Sequence, residues 1–134
     1  MLSPEQSILG GVFSAMGLAT LFFPGLVHEY GFEKAFVGAE PASPAMLIMI
    51  QCFGSQAALC GLTILSTKWT RRSYRNFALA MVPYLVFDVY ALAKGMCTPF
   101  GAIGDGIGNV IFVSCCYVGY YRRDKDDGKP LLKH

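Results

Sequence analysis

Residues 45–65 read AMLIMIQCFGSQAALCGLTIL, 21 residues without a charge, and a helix of about that length just crosses the hydrocarbon core of a bilayer. With no water there to satisfy backbone groups, such a run has to close its own hydrogen bonds as a helix. Residues 7–23, 77–93 and 103–121 are nearly as apolar. Composition agrees: 54% of the chain is hydrophobic and 15% charged, with the charges gathered between the apolar segments. The alternative, a soluble bundle of fully buried helices, is not expected, because four helices apolar all round in 134 residues leave too little polar surface to meet water. The expected fold is all-α, an integral membrane four-helix bundle forming a single domain over residues 1–134, with a solvated, flexible tail over 122–134.

Orientation follows from the basic residues. Lys68, Arg71, Arg72 and Arg75 lie between the second and third spans, and Arg122, Arg123, Lys125, Lys129 and Lys133 follow the fourth; the opposite side holds Lys34 and Lys94. This bias predicts an N-in/C-in topology. Trp69, Tyr74, Tyr117, Tyr120 and Tyr121 flank the same side and read as headgroup-level anchors. Because the first basic residue is Lys34, neither a signal peptide nor an Arg-rich presequence is expected, and the first helix stays in the mature chain. The net charge of +2 reflects topology. Membrane lipid headgroups are its natural partner and nucleic acid is not. The expected location is an endomembrane or an organellar inner membrane.

Five cysteines do not make a disulfide framework: Cys52, Cys60, Cys115 and Cys116 lie inside spans, and Cys97 alone lies in an outer loop. With His28 and His134 the only histidines, neither a metal site nor a haem or other cofactor is expected. Small residues at helical spacing, among them Ser7 and Gly11, Gly10 and Ser14, Ala57 and Gly61, and Gly104 and Gly108, let helices approach closely in lipid.

Asp88 is the anomaly within the third span, where a lipid-facing carboxylate costs about 2.5–3.5 kcal/mol on insertion scales. Counting about 1.5 Å per residue from the outer ends, Gln51, Asn109 and Thr20 fall near its depth, so four helices are expected to supply one polar layer. Asp105 stands one turn from Asn109 and Tyr84 one turn from Asp88, extending the layer toward the outer side. Pro83 interrupts the helical hydrogen bonding beside it.

Two uses of this layer follow. In the structural one, hydrogen bonds from Asp88 to Gln51 and Asn109 pin the helices together. In the catalytic one, Asp88 is a general acid, assisted by Asp105 or Glu29, with Gln51, Asn109, Tyr84 and Thr20 binding a lipophilic sterol- or terpenoid-like substrate for isomerisation or cyclisation. Glu29 belongs to the long outer segment PGLVHEYGFEKAFVGAEPASP, which reads either as an interfacial connector or as a lid.

Gly17-Leu18, Phe23-Pro24-Gly25, Phe87-Asp88 and Asn109 are laid out along the four helices in a way that resembles the DoxX-like small four-helix membrane proteins. That resemblance implies a fold and not an activity. With small loops and no catalytic signature, the expected role is an accessory or assembly subunit of a larger membrane complex, partnered by other membrane subunits or by itself. A channel or proton-coupled carrier has little room for a pore in one short bundle.

Overall fold

The computed structural model describes residues 2–38 and 41–127. Among these the chain is all-helical: α1 (Pro4–Phe22), α2 (Pro24–Gly31), α3 (Lys34–Val37), α4 (Pro44–Ser66), α5 (Arg71–Ala93) and α6 (Pro99–Asp127). β pairing among the described residues is confined to an isolated bridge between Phe32 and Cys97.

Helix starts fall at polar residues that a hydropathy reading passes over. Ser3 caps α1 by accepting from the Gln6 amide at 3.3 Å, Ser43 caps α4 from Met46 at 3.2 Å, and each is followed by a proline in the first turn, where a missing N–H costs nothing. Thr70 and Ser73 close a reciprocal capping box at the start of α5. At the other end α6 runs on to Asp127, so the tail expected from 122 is helical over its first six residues. Twenty-nine residues make a rod of about 43 Å, longer than a hydrocarbon core, so its charged end stands clear of the apolar part. Residues 128–134, with Lys129 and Lys133, lie outside the described residues.

α4, α5 and Pro99–Arg123 of α6 are each long and apolar enough to cross a membrane; α1 reaches that standard only together with α2, across a 97° bend. Three such helices, or four if the bent pair is one span, are the pattern of a multi-pass membrane protein. The bend sits at Phe23, which precedes Pro24 and leaves the helical region at φ −124°, ψ 51°, as a residue before proline is pushed to do.

The long helices stand in a row, α4–α1–α6–α5, and no Cα of α4 comes within 8 Å of one in α5. α1 against α4 is the closest seam, because Gly17 meets the backbone of Ala58 and Gly54, and Gly61 meets Ser14 and Gly10. A Cβ on Gly54 would stand 2.5 Å from the Leu21 amide nitrogen, so these small residues set the approach of the two helices. The expectation of small-residue packing thus settles on Gly10, Ser14 and Gly17 facing Gly54, Ala58 and Gly61, whereas Gly11 and Gly104 face open space.

All four long helices alternate in direction, which gathers the start of α1, the α4–α5 turn and the end of α6 at one end. Ser3 Oγ lies 2.7 Å from the Tyr74 hydroxyl, and Arg122 Nη1 donates to Glu5 Oε2 at 3.2 Å. Lys68, Arg71, Arg72, Arg75, Arg122 and Arg123 therefore share that end with the N-terminal residues. The apolar core lies there too: Phe13 stacks on Phe112 with centroids 4.0 Å apart, beside Leu9, Ile64, Trp69 and Tyr74. Trp69 and Tyr74 are consequently core residues, 9% and 0% exposed, and not headgroup anchors. Gly119 leaves the notch into which the Tyr74 ring fits. Tyr117 and Tyr121 do stand outward.

Candidate functional site

The polar cluster forms on the α5–α6 seam, toward the end opposite the basic residues. Asp88 projects from α5, and Asn109 of α6 donates its side-chain amide to Asp88 Oδ2 at 2.5 Å and to Asp105 Oδ2 at 3.3 Å. The Tyr84 hydroxyl donates to Asp105 Oδ1 at 3.4 Å. Each contact follows from helical spacing: Asp105 and Asn109, like Tyr84 and Asp88, are four apart and so neighbours on one face. Antiparallel packing of α5 on α6 brings the two pairs together. α5 continues through Pro83 without an interruption in its helix.

Burial within the cluster is uneven. Asn109 is 5% exposed, while both carboxylates are half-buried. Its amide nitrogen serves two acceptors, and its amide oxygen has no hydrogen-bond partner among the described residues. Above the cluster, in the α5–α6 loop, burial raises the Cys97 thiol above the ordinary thiol range, and the charges of Asp105 and Asp88 add to this.

The remaining expected members of the layer lie elsewhere. Gln51 donates instead to the backbone carbonyl of Leu21 in α1 at 3.2 Å, because α4 meets α1 and not α5. Thr20 has its backbone against Gly54 on that same seam. Glu29 lines a separate cavity of about 400 Å³ with His28, Lys34 and Leu47, under the α2–α3 segment. A layer fed by four helices is thus replaced by a cluster from two.

The outer segment is tied down by its backbone. Glu33 donates to Met96 O at 3.1 Å, Thr98 donates to Gly31 O at 3.1 Å, and the Thr98 hydroxyl donates to Tyr30 O. It is thereby a connector fastened to the α5–α6 loop. Leu26, Tyr30 and Phe36 remain exposed on it.

No family model matches the chain, and neither a curated protein nor a solved structure does. Chemistry at the cluster therefore has to be argued from the residues present. Among the described residues, no three of His, Cys, Asp and Glu are grouped to hold a metal ion. The five cysteines are free thiols. What the cluster offers is two carboxylates joined through one amide, with a phenol on the second, an arrangement able to hold or hand over a proton.

A second polar centre, at the basic end, was not legible from hydropathy. Gln6, 0% exposed, donates to the carbonyls of Ile64 at 2.6 Å and of Thr67, and accepts from the Trp69 amide at 3.3 Å. It satisfies the last carbonyls of α4, which have no helical partner. Glu5, beside it, is 5% exposed and paired with Arg122. The Ser-Pro-Glu-Gln helix start was the available signal.

Proposed function

We propose that this chain is a four-helix membrane-spanning bundle, N-in and C-in, of the DoxX-like layout, and that it serves as an accessory or assembly subunit within a larger complex of an endomembrane or organellar inner membrane. One observation carries the reading. α4 and α5 stand at the two ends of the row, and each turns an apolar face outward, with Ile48, Met49 and Phe53 exposed on α4 and Phe87 and Tyr90 on α5. Of the apolar window of α5, 11% is buried within the chain itself. Such faces suit helices of other subunits or a second copy of this chain.

In this reading the cluster of Asp88, Asn109 and Asp105 keeps α5 on α6 and has no substrate. Extraction of the native membrane in mild detergent tests it: the chain should migrate in a complex several times its own mass, with a reproducible partner set by mass spectrometry. Migration of the native chain as a lone monomer would sink the proposal.

The amide shared between Asp88 and Asp105 favours one other reading, a membrane-embedded isomerase or cyclase acting on a lipophilic sterol- or terpenoid-like molecule. Asp88 would act as the general acid, Asp105 as its partner, and Tyr84 and Asn109 would orient the substrate. Glu29, Gln51 and Thr20 have no part in it, since they lie on other seams. Asp88→Asn separates the two: a subunit still assembles, whereas an enzyme keeps its fold and loses turnover.

A further inference from the structure

α5 opens with Arg71, Arg72 and Arg75, whose spacings of three and four put them on one side of the helix. Arg71 reaches α6, where its Nη2 donates to the Tyr120 hydroxyl at 2.8 Å and its guanidinium carbon sits 4.3 Å from the ring centre. This bridge forms the back of a cavity of about 340 Å³ lined by Thr70, Arg71, Arg72, Arg75 and Tyr120. Among residues 2–38 and 41–123, whose side chains are described, no carboxylate lines it. Arg72 and Arg75 are exposed at its mouth and make no ion pair with any described residue.

The Thr70–Ser73 capping box engages the Ser73 and Thr70 amides at the start of α5, and the side chains lining the cavity are chiefly guanidinium groups and a phenol. Planar guanidinium forks match phosphate oxygens two at a time. Below the arginines, Leu79, Val82 and Val86 continue the line of Arg75 at spacings of four, three and four, each at least half exposed. The ligand therefore has an anionic head and an apolar body.

We propose that this cavity is a binding site for the phosphate of an anionic phospholipid, held by Arg72 and Arg75 against the wall made by Arg71 and Tyr120, with the acyl chains lying along Leu79, Val82 and Val86. The site sits where the apolar spans give way to the basic end, the level at which headgroups lie, and it rests on the reading of those spans as membrane-crossing.

The test uses the full chain in mixed micelles of phosphatidylglycerol and phosphatidylcholine, with retained lipid read by native mass spectrometry. Phosphatidylglycerol should be retained in preference, and Arg72→Gln/Arg75→Gln should weaken that retention about tenfold. Lys68→Gln/Arg123→Gln, which removes equal charge from the same end outside the cavity, should change it by less than about twofold. An equal loss in both double variants overturns the site in favour of diffuse surface charge. Displacement of the lipid by millimolar inorganic phosphate overturns the lipid assignment in favour of a free anion. If the first double variant fails to fold, Arg75→Gln alone is read, with an expected loss of about threefold. Release of the native chain from membranes by alkaline carbonate would overturn the membrane reading, and the lipid site with it; a chain that resists release and retains both lipids equally overturns the lipid site alone.

Discussion

Asn109 and Asp88 join α6 to α5 through a single 2.5 Å hydrogen bond between side chains that hydropathy alone would keep out of a membrane span. Each removes the other's cost: the carboxylate receives a donor and the buried amide an acceptor. In a double-mutant cycle with Asp88→Leu and Asn109→Leu, the coupling energy should be about 0.6–2 kcal/mol. Unfolding in a mixed detergent titration measures it. A coupling indistinguishable from zero would show that the pair does not hold the seam.

The α1–α4 seam is set by backbone approach, so bulk there should be poorly tolerated. A side chain on Gly17 runs into the backbone of Ala58, and backbone cannot swing aside as a side-chain tip can. Gly17→Leu is expected to cost about 3 kcal/mol or to prevent folding. Gly11→Ala, six residues earlier on the same helix and facing open space, should stay within about 1 kcal/mol of the parent and can stabilise it. Equal effects of the two substitutions in the same titration would refute the close-packed seam.

Why the cluster was half legible can be said in physical terms. Asp88, Asn109, Asp105 and Tyr84 were placed together by depth and by four-residue spacing, and both rules survive because they are local to a helix. Gln51 and Thr20 were assigned by depth alone, and depth does not say which helices touch. The glycines decide that. Gly54 and Gly61 draw α4 onto α1 and so away from α5. Gln6 escaped notice, and Arg71 was read for topology alone, for a different reason: both lie in first turns that a search for apolar windows discards. The length of α6 was underread likewise, because charge ends a hydropathy window without ending a helix.

Gln6 closes three backbone groups around the α4–α5 turn, and the single tryptophan is one of them. Gln6→Leu leaves the buried Ile64 carbonyl and Trp69 amide unpaired, each worth about 1–3 kcal/mol and together less than their sum. The variant should unfold at lower denaturant, and Trp69, now 9% exposed, should shift its emission to longer wavelength as the turn loosens. Emission unchanged from the parent would mean that the turn is held by other contacts, such as Trp69 against Tyr74 and Phe77.

Cys97 reports on both the topology and the charge of the neighbouring cluster. Burial, then the negative charges of Asp105 and Asp88, hold its thiol above the ordinary range, so at pH 8 it carries less thiolate than an ordinary cysteine and alkylates more slowly. In a chain with the other four cysteines replaced by alanine, the alkylation rate should keep rising with pH beyond the point where a free thiol levels off. Asp105→Asn removes one of the raising charges. The thiol then ionises at lower pH, and the whole rate profile should move downward in pH. An impermeant maleimide applied from the side opposite the Thr67–Thr70 turn should label Cys97, as N-in/C-in topology requires. Labelling from the same side as that turn would reverse the proposed orientation, and a profile unmoved by Asp105→Asn would separate the thiol from the cluster.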